Sequence, residues 1–155
     1  MTTLQKHVVA SARGWLGTRF HHQGRLKKTD THKGGVDCLG LLVGVAKELE
    51  LKAANGTPIT AYDHTEYTHT PNTYHLRQTL NEIMLEIPKG DMRAADVLLM
   101  DIDNMPQHLG IITEYSGNIG IIHAYAPARA VVEHLLDAYW QERIIAAFRL
   151  SSLNN

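Results

Sequence analysis

The sequence feature that most constrains the fold is an apolar run that begins at the only cysteine of the chain, Cys38. From there, apolar residues recur at positions 38, 42, 45 and 49, which is the spacing of one face of a helix. Asp37 is a favourable N-cap residue, and the glycine pair before it is typical of a loop that turns into a helix. We therefore predict a helix that begins at Cys38 and ends near Leu51.

The position of Cys38 in the first helical turn indicates a reactive thiol. Unpaired backbone N–H groups and the positive end of the helix dipole favour the thiolate there. Helix N-termini lower thiol pKa values below the ordinary value of about 8.5. The alternative is that Cys38 is a small buried apolar residue, because free cysteine is among the most buried residue types. The residues around Cys38 leave both interpretations open at this point.

Size and composition predict a single soluble domain over residues 1–155. The formal net charge of −1 gives no electrostatic argument for binding nucleic acid or an anionic membrane. One cysteine cannot form an internal disulfide, so nothing requires an oxidising compartment. The first residues contain no apolar signal-peptide core, and no apolar stretch is long enough to span a membrane. We therefore expect synthesis in the cytoplasm without a signal peptide.

The first half of the chain predicts helices and the second half predicts strands. Thr2 and Gln5 resemble a capping box, and the helix that follows is expected to stop at Gly17. A third helix is predicted over 73–87, after a Thr-, Tyr- and His-rich loop over 57–73. Strands are predicted over 97–100, 109–114, 119–125, 131–136 and 144–150. This order indicates an α+β fold, with N-terminal helices packed on a C-terminal antiparallel β-sheet.

Two histidines in the strand half are candidates for the base that a thiol needs. If the hairpin turn contains Ser116 and Gly117, then position 123 lies opposite position 110. His108 and His123 would then project from the same face as diagonal neighbours, which we expect to be the face that meets the start of the Cys38 helix. One ring could act as the base and the other could orient it. The alternative is a pair of surface residues, since the chain contains ten histidines.

The motifs of the chain, in this order, resemble the NlpC/P60 cysteine peptidases. The closest resemblance is to the small phage-type cell-wall peptidases, in which the thiol motif reads Asp-Cys-Leu-Gly. The matching segments are 17–23, 34–41, 95–99, 107–111 and 122–124. The resemblance implies a papain-like α+β fold with the nucleophile at a helix N-terminus against an antiparallel sheet. It also implies hydrolysis of amide bonds in peptidoglycan stem peptides, commonly the γ-D-glutamyl bond to the diamino acid.

The resemblance also implies roles for individual residues. Cys38 would be the nucleophile, His108 the general base and then the acid, and His123 the polar residue that orients His108. Asp37 would be a substrate-binding residue, because the Asp-Cys-Ser-Gly version of the motif uses its acid and serine to hold a free substrate amine. Leu39 stands where that serine would be, so we do not expect a requirement for an N-terminal L-alanine.

Substrate contacts are further implied for Phe20, His21 and His22. The family usually has a tyrosine at the position of Phe20, and its hydroxyl lies at the active site. One oxyanion donor is therefore missing from this chain. The backbone N–H of Cys38 would act instead, together with His21, His22 or a water molecule.

No cofactor is expected. The chain has no His-Glu-x-x-His motif, and a single cysteine cannot build a thiolate-rich zinc site. The alternative is a histidine-only metal site formed by His21, His22, His64 or His69.

Three functions from different classes stay open. The first is a peptidoglycan endopeptidase of the phage-tail kind, with stem peptides as substrate and phage tail proteins as candidate partners. The second is a non-catalytic phage-tail or wall-binding module that keeps the fold. The third is a thiol amidase or acyltransferase on the same scaffold. Because peptidoglycan lies outside the cytoplasmic membrane, we expect delivery by a phage particle, a related tail assembly or lysis.

Overall fold

The computed structural model describes residues 1–63, 73–102 and 105–153, with the backbone alone for 73–75 and 105–106. In this part of the chain the helices are α1 (Thr3–Arg13), α2 (Cys38–Glu48), α3 (Thr73–Ile83) and the short α4 (Ala138–Gln141). None of the described helices is long and apolar enough to cross a membrane.

The described strands form one small ladder and one large sheet. The ladder pairs β1 (Arg25–Leu26) with β2 (Gly35–Val36) just before α2. The large sheet is antiparallel, with the strand order β3-β8-β4-β5-β6-β7. Its strands are β3 (Leu85–Ile87), β4 (Val97–Ile102), β5 (Met105–Tyr115), β6 (Asn118–Tyr125), β7 (Ala130–Leu135) and β8 (Ile144–Arg149). The predicted α+β class, with helices preceding an antiparallel sheet, is confirmed.

The first helix begins as predicted, but it ends earlier than the predicted stop at Gly17. The Thr2 hydroxyl accepts the Gln5 backbone N–H at 3.1 Å, and the Gln5 side chain accepts the Thr2 N–H at 2.7 Å, which completes the capping box. The helix ends at Arg13 with Gly14 as its C-cap, so Gly17 lies in the following turns, where its φ is 84°.

The third helix is shorter than predicted. It ends at Ile83, and the segment Leu85–Ile87 instead forms β3 at the edge of the sheet. Leu85 lies opposite Arg149 of β8. Apolar residues at the end of a helical pattern cannot be told from a short strand by periodicity alone. The pairing with β8, which is distant in sequence, decides between them. Of the loop predicted over 57–73, residues 64–72 lie outside the described part.

The hairpin of β5 and β6 has the predicted turn and register. Ser116 and Gly117 have φ values of 50° and 79°, as a two-residue type I′ turn requires. Ile111 lies opposite Ile122, which is the register that sets position 123 opposite position 110.

Side chains from the two faces of the sheet belong to two separate cores. The helix-side core joins α1, α2 and α3 to one face of the sheet. Its members include Val8, Leu41, Leu80, Val97, Leu99, Leu109, Ile111, Ile122 and Phe148. The far-side core covers the other face and contains Leu98, Met100, Ile102, Ile112, Ile121, Leu136, Ile144 and Ala147. Tyr125 and Trp140 pack against the far-side core.

Helix α2 lies close against Trp15, which follows α1, and Gly44 makes this possible. A Cβ atom at Gly44 would lie 2.1 Å from Cζ2 of Trp15. The indole cannot easily move away, because it is 4% exposed and its N–H donates to Glu48 at 3.1 Å.

We predict that Gly44→Ala lowers the free energy of unfolding by about 1–3 kcal/mol, because the added methyl overpacks the contact with Trp15. Urea denaturation would measure the change. Gly90→Ala is the matched control: a Cβ atom there meets nothing within 4 Å, so its effect should stay within about 0.5 kcal/mol. Equal stabilities of the two variants would contradict the close approach.

Candidate active site

The start of α2 is fixed by the carboxylate of Asp37, as the sequence predicts. Its Oδ1 accepts hydrogen bonds from the Gly40 backbone N–H at 2.8 Å and from Arg25 at 2.9 Å. Its Oδ2 accepts the Gln23 backbone N–H at 2.8 Å. Asp37 is therefore the N-cap residue that ties the preceding loop to the first helical turn and places Cys38 there. A contact between Asp37 and substrate stays a prediction.

The thiol of Cys38 lies between the start of α2 and strand β5. The residue is half-buried and packs against the helix-side core. Burial around the sulfur, reinforced by the negative charge of Asp37, raises the pKa of the thiol to about 12. Hydrogen bonds from the backbone of Leu109 and Leu39 oppose this rise, as does the charge of Arg25.

The expected low thiol pKa is therefore wrong for the free protein. The helix N-terminus does favour the thiolate, but desolvation of a charged sulfur outweighs it here. The resting side chain of Cys38 is consequently a neutral thiol. Its proton has to be removed during the reaction itself.

His108 and His123 contact each other directly. Nε2 of His108 lies 2.6 Å from Nδ1 of His123, and both residues are 0% exposed. The prediction that the two rings share one face as neighbours is confirmed. Nδ1 of His108 is buried and has no hydrogen-bond partner among the described residues.

Burial keeps both rings neutral. Desolvation lowers the pKa of His108 to about 3. It also lowers the pKa of His123, with further contributions from the neighbouring charges of His108 and His134. A thiol pKa above the imidazole pKa is the reverse of what a resting thiolate–imidazolium pair requires.

The two histidines lie on the face of the sheet opposite to α2, and the expectation that they meet the helix from the same face is wrong. Leu109 belongs to the helix-side core, so strand alternation directs the neighbouring His108 to the other face. His108 accordingly lies opposite Met100 of the far-side core. The Cys38 sulfur reaches β5 from the helix side, at the backbone of Leu109.

Three side chains around His123 were missed by the sequence analysis. The ring of Tyr125 stacks on His123 at a centroid distance of 4.9 Å and an angle of 12°. Trp140 of α4 meets His123 edge-on at 5.3 Å. Nε2 of His134, on β7, lies 2.8 Å from Nε2 of His123. The register of β6 and β7, with Ile121 opposite His134, would have identified His134 by the same alternation argument that paired the other two histidines.

Phe20, His21 and His22 line the loop that packs beside the start of α2. Phe20 is half-buried against the helix-side core, and its backbone pairs with Val36. His21 is exposed and donates from Nδ1 to the carbonyl of His22 at 2.9 Å. Its Cβ lies 2.9 Å from where a Cβ at Gly35 would be. Substrate contacts by these three residues stay predictions.

Gln107 is a further candidate that the sequence did not single out. The residue is 4% exposed, and neither its amide nitrogen nor its amide oxygen has a hydrogen-bond partner among the described residues. A buried amide without partners carries a desolvation cost of about 1–3 kcal/mol, and such groups often mark a functional site. Gln107 lies two residues before Leu109, whose backbone bonds the Cys38 thiol, at the point where the register of β4 and β5 shifts between the pairs Met100–His108 and Ile102–Met105.

A histidine-only metal site was the alternative for His21 and His22. His64 and His69, which would complete it, lie outside the described residues. In the described ranges, no group of three or more His, Cys, Asp or Glu side chains is arranged to hold a metal ion.

Comparisons with known proteins agree with this architecture. A sequence model of the NlpC/P60 family matches residues 17–149. The NlpC/p60 domain of the peptidoglycan hydrolase SagA is 18% identical, with 94% of this chain and 98% of that chain covered and a TM-score of 0.60. The P60 domain of the M. avium subspecies paratuberculosis antigen MAP1204 is 15% identical, with coverages of 94% and 93% and a TM-score of 0.59.

A more distant similarity extends to a second kind of protein. An N-acetylmuramoyl-L-alanine amidase from Bacteroides uniformis is 10% identical, with coverages of 95% and 98% and a TM-score of 0.52. At these identities, the likeness to solved structures shows the fold alone. A comparison with curated proteins found no match.

The buried histidines predict how stability depends on pH. Histidine has a pKa of about 6.5 in an unfolded chain, whereas that of folded His108 is about 3. Between these values the unfolded state binds a proton that the folded state does not, so the free energy of unfolding falls as the pH drops from about 6.5 to about 3. One such group contributes at most about 1.4 kcal/mol per pH unit.

We predict that His108→Gln reduces this slope by about one proton, measured by urea denaturation between pH 4 and 6. His7→Gln is the control, because His7 is exposed on α1. An unchanged slope in the His108 variant would contradict the neutral buried ring.

Proposed function

Because the chain belongs to the NlpC/P60 family, we propose that it is a cysteine peptidase that hydrolyses amide bonds in peptidoglycan stem peptides. The observation that carries the proposal is the 2.6 Å hydrogen bond between His108 and His123, formed beside the stretch of β5 that the Cys38 thiol contacts. The similar structures are a peptidoglycan hydrolase domain and an amidase, which supports a substrate of this class. The resemblance favours the γ-D-glutamyl bond to the diamino acid.

In the first step, the neutral thiol of Cys38 attacks the amide carbonyl carbon while Nδ1 of His108 accepts the thiol proton. Both groups are neutral in the free protein, so their charges develop together in the transition state. A general base in this position accelerates proton transfer by about 10²- to 10⁴-fold. His123 holds the His108 ring through Nε2.

The negative charge that develops on the carbonyl oxygen needs donors near Cys38. In the first turn of α2, Gly40 donates its N–H to Asp37 and the backbone of Leu39 bonds the sulfur. We therefore assign the backbone N–H of Cys38 as one hydrogen-bond donor to this oxygen. Gln107 is the second donor that we assign, because its buried amide has no partner among the described residues and it lies two residues from Leu109, whose backbone bonds the thiol.

The remaining steps return the protons. The His108 imidazolium donates from Nδ1 to the leaving amine nitrogen as the C–N bond breaks and a thioester to Cys38 remains. His108 then removes a proton from water as the water oxygen attacks the thioester, and it returns that proton to the sulfur as the C–S bond breaks. The products are the neutral thiol of Cys38 and a carboxylic acid, which loses its proton to solvent.

One observation favours the non-catalytic alternative. The raised pKa of the Cys38 thiol means that the free protein holds little thiolate. A hydrolase of this design needs substrate binding to bring about proton transfer, whereas a wall-binding module needs no reactive thiol. Delivery by a phage particle or tail stays a prediction from the sequence.

We predict that the purified protein releases peptide fragments from sacculi, with masses that correspond to a cut inside the stem peptide. Cys38→Ala should release none, because the nucleophile is missing, while its free energy of unfolding should stay within about 1 kcal/mol of the wild type. Mass spectrometry of the soluble fragments and urea denaturation would measure both.

The products distinguish the alternatives. Fragments cut between sugar and peptide would identify an amidase instead. The complete absence of fragments from folded wild-type protein would identify a non-catalytic module. Equal release by the Cys38→Ala variant would exclude Cys38 as the nucleophile.

A further inference from the structure

The histidine pair is part of a longer chain of hydrogen bonds that ends at a backbone carbonyl. Nε2 of His108 contacts Nδ1 of His123 at 2.6 Å, and Nε2 of His123 contacts Nε2 of His134 at 2.8 Å. Nδ1 of His134 lies 2.7 Å from the carbonyl oxygen of Leu135. Whereas His108 and His123 are fully buried, His134 is half-buried.

The carbonyl at the end of this chain fixes the direction of every hydrogen bond in it. A carbonyl oxygen can only accept, so His134 carries its proton on Nδ1 and has a lone pair on Nε2. His123 must then donate from Nε2, which leaves a lone pair on its Nδ1. His108 must in turn donate from Nε2. The neutral chain therefore has one arrangement of protons, in which Nδ1 of His108 is an unprotonated acceptor.

That acceptor is the atom that the structure leaves without a partner. Nδ1 of His108 is buried and makes no hydrogen bond within the described residues. With the opposite tautomer, a buried N–H group would stand there and could not accept a proton from a thiol.

Aromatic packing keeps the three rings in line. Trp140 contacts His123 edge-on at 5.3 Å and His134 at 4.8 Å between ring centroids. Tyr125 stacks on the ring of His123, with 4.9 Å between the ring centroids. The hydrogen-bonded histidines are therefore part of a packed cluster and are not separate surface side chains.

We propose that His134 is a positioning residue, which acts through His123 to hold His108 in the tautomer with a bare Nδ1. The inference rests on the proposed function for its catalytic meaning, but the tautomer is a property of the free protein. It extends the expected set of Cys38, His108 and His123 by a fourth residue. His134 itself touches neither the thiol nor substrate in this assignment.

The tautomer can be measured directly in the free protein. Two-bond ¹H–¹⁵N correlation spectra of protein with ¹⁵N-labelled histidine distinguish Nε2–H from Nδ1–H rings, and the His108→Gln variant would assign the His108 signals. We expect His108 in the Nε2–H form. The Nδ1–H form in the wild-type protein would overturn the proposal whether or not the protein has hydrolase activity.

Two substitutions of opposite hydrogen-bonding character test the role of His134. His134→Glu supplies an acceptor for Nε2–H of His123, so the tautomer should persist and kcat for sacculus digestion should stay within about tenfold. His134→Lys supplies only donors, which reverses the chain and puts the proton of His108 on Nδ1. Its kcat should fall by at least about 10²-fold with KM unchanged, because the base is lost and the substrate contacts are kept.

Matched controls separate this role from a structural one. His7→Glu and His7→Lys introduce the same charges at an exposed position of α1 and should leave kcat and the His108 signals unchanged. If His134→Lys is folded and keeps both the Nε2–H form and the activity, the proposal is wrong. If it unfolds, the Nδ1–H form of His108 in either the wild-type or the His134→Glu spectrum would still overturn the proposal. A tautomer that responds as expected in a protein without hydrolase activity would refute the proposed function and leave this inference standing.

Discussion

Strand alternation in β5 is the constraint on which the site depends. Leu109 is needed in the helix-side core, where it packs beneath the helices, and its neighbour His108 is thereby directed into the opposite face. The thiol of Cys38 reaches the same stretch of backbone from the helix side. The paired register of β5 and β6 extends only to Ile111 and Ile122, so the histidines lie beyond its end. Nucleophile and base thus approach the same stretch of β5 from the two faces of the sheet.

Burial determines the resting state of this arrangement. The far-side core surrounds His108 and His123 and lowers the pKa values of both rings, while burial and the charge of Asp37 raise that of the Cys38 thiol. These shifts favour the neutral thiol and the neutral rings in the free protein, and a neutral thiol is less reactive towards oxidation and alkylation than a thiolate. The same low-dielectric surroundings strengthen the hydrogen bonds that orient the base. Gln107 fits this pattern as a buried amide that has no hydrogen-bond partner among the described residues.

Local signals in the sequence were sufficient for the parts of the site that depend on neighbouring residues. The cap at Asp37, the helix start at Cys38 and the turn at 116–117 each rest on a few adjacent residues, and each is confirmed. The face of the sheet on which His108 lies could not be predicted from the sequence, because it depends on which of the two cores contains the neighbouring Leu109. His134 was missed because its contact depends on the register between β6 and β7. The thiol pKa depends on packing, which periodicity does not report.

The central claim is that Cys38 forms an acyl-enzyme with His108 as its base. Intact-protein mass spectrometry after acid quenching of a reaction with a stem peptide tests it most directly. The account predicts a transient mass increase equal to the acyl part of the substrate, located on the peptide that contains Cys38. His108→Ala should form this adduct at a rate lower by at least about 10²-fold. Turnover with no adduct at Cys38, or an undiminished rate of adduct formation without His108, would contradict the account.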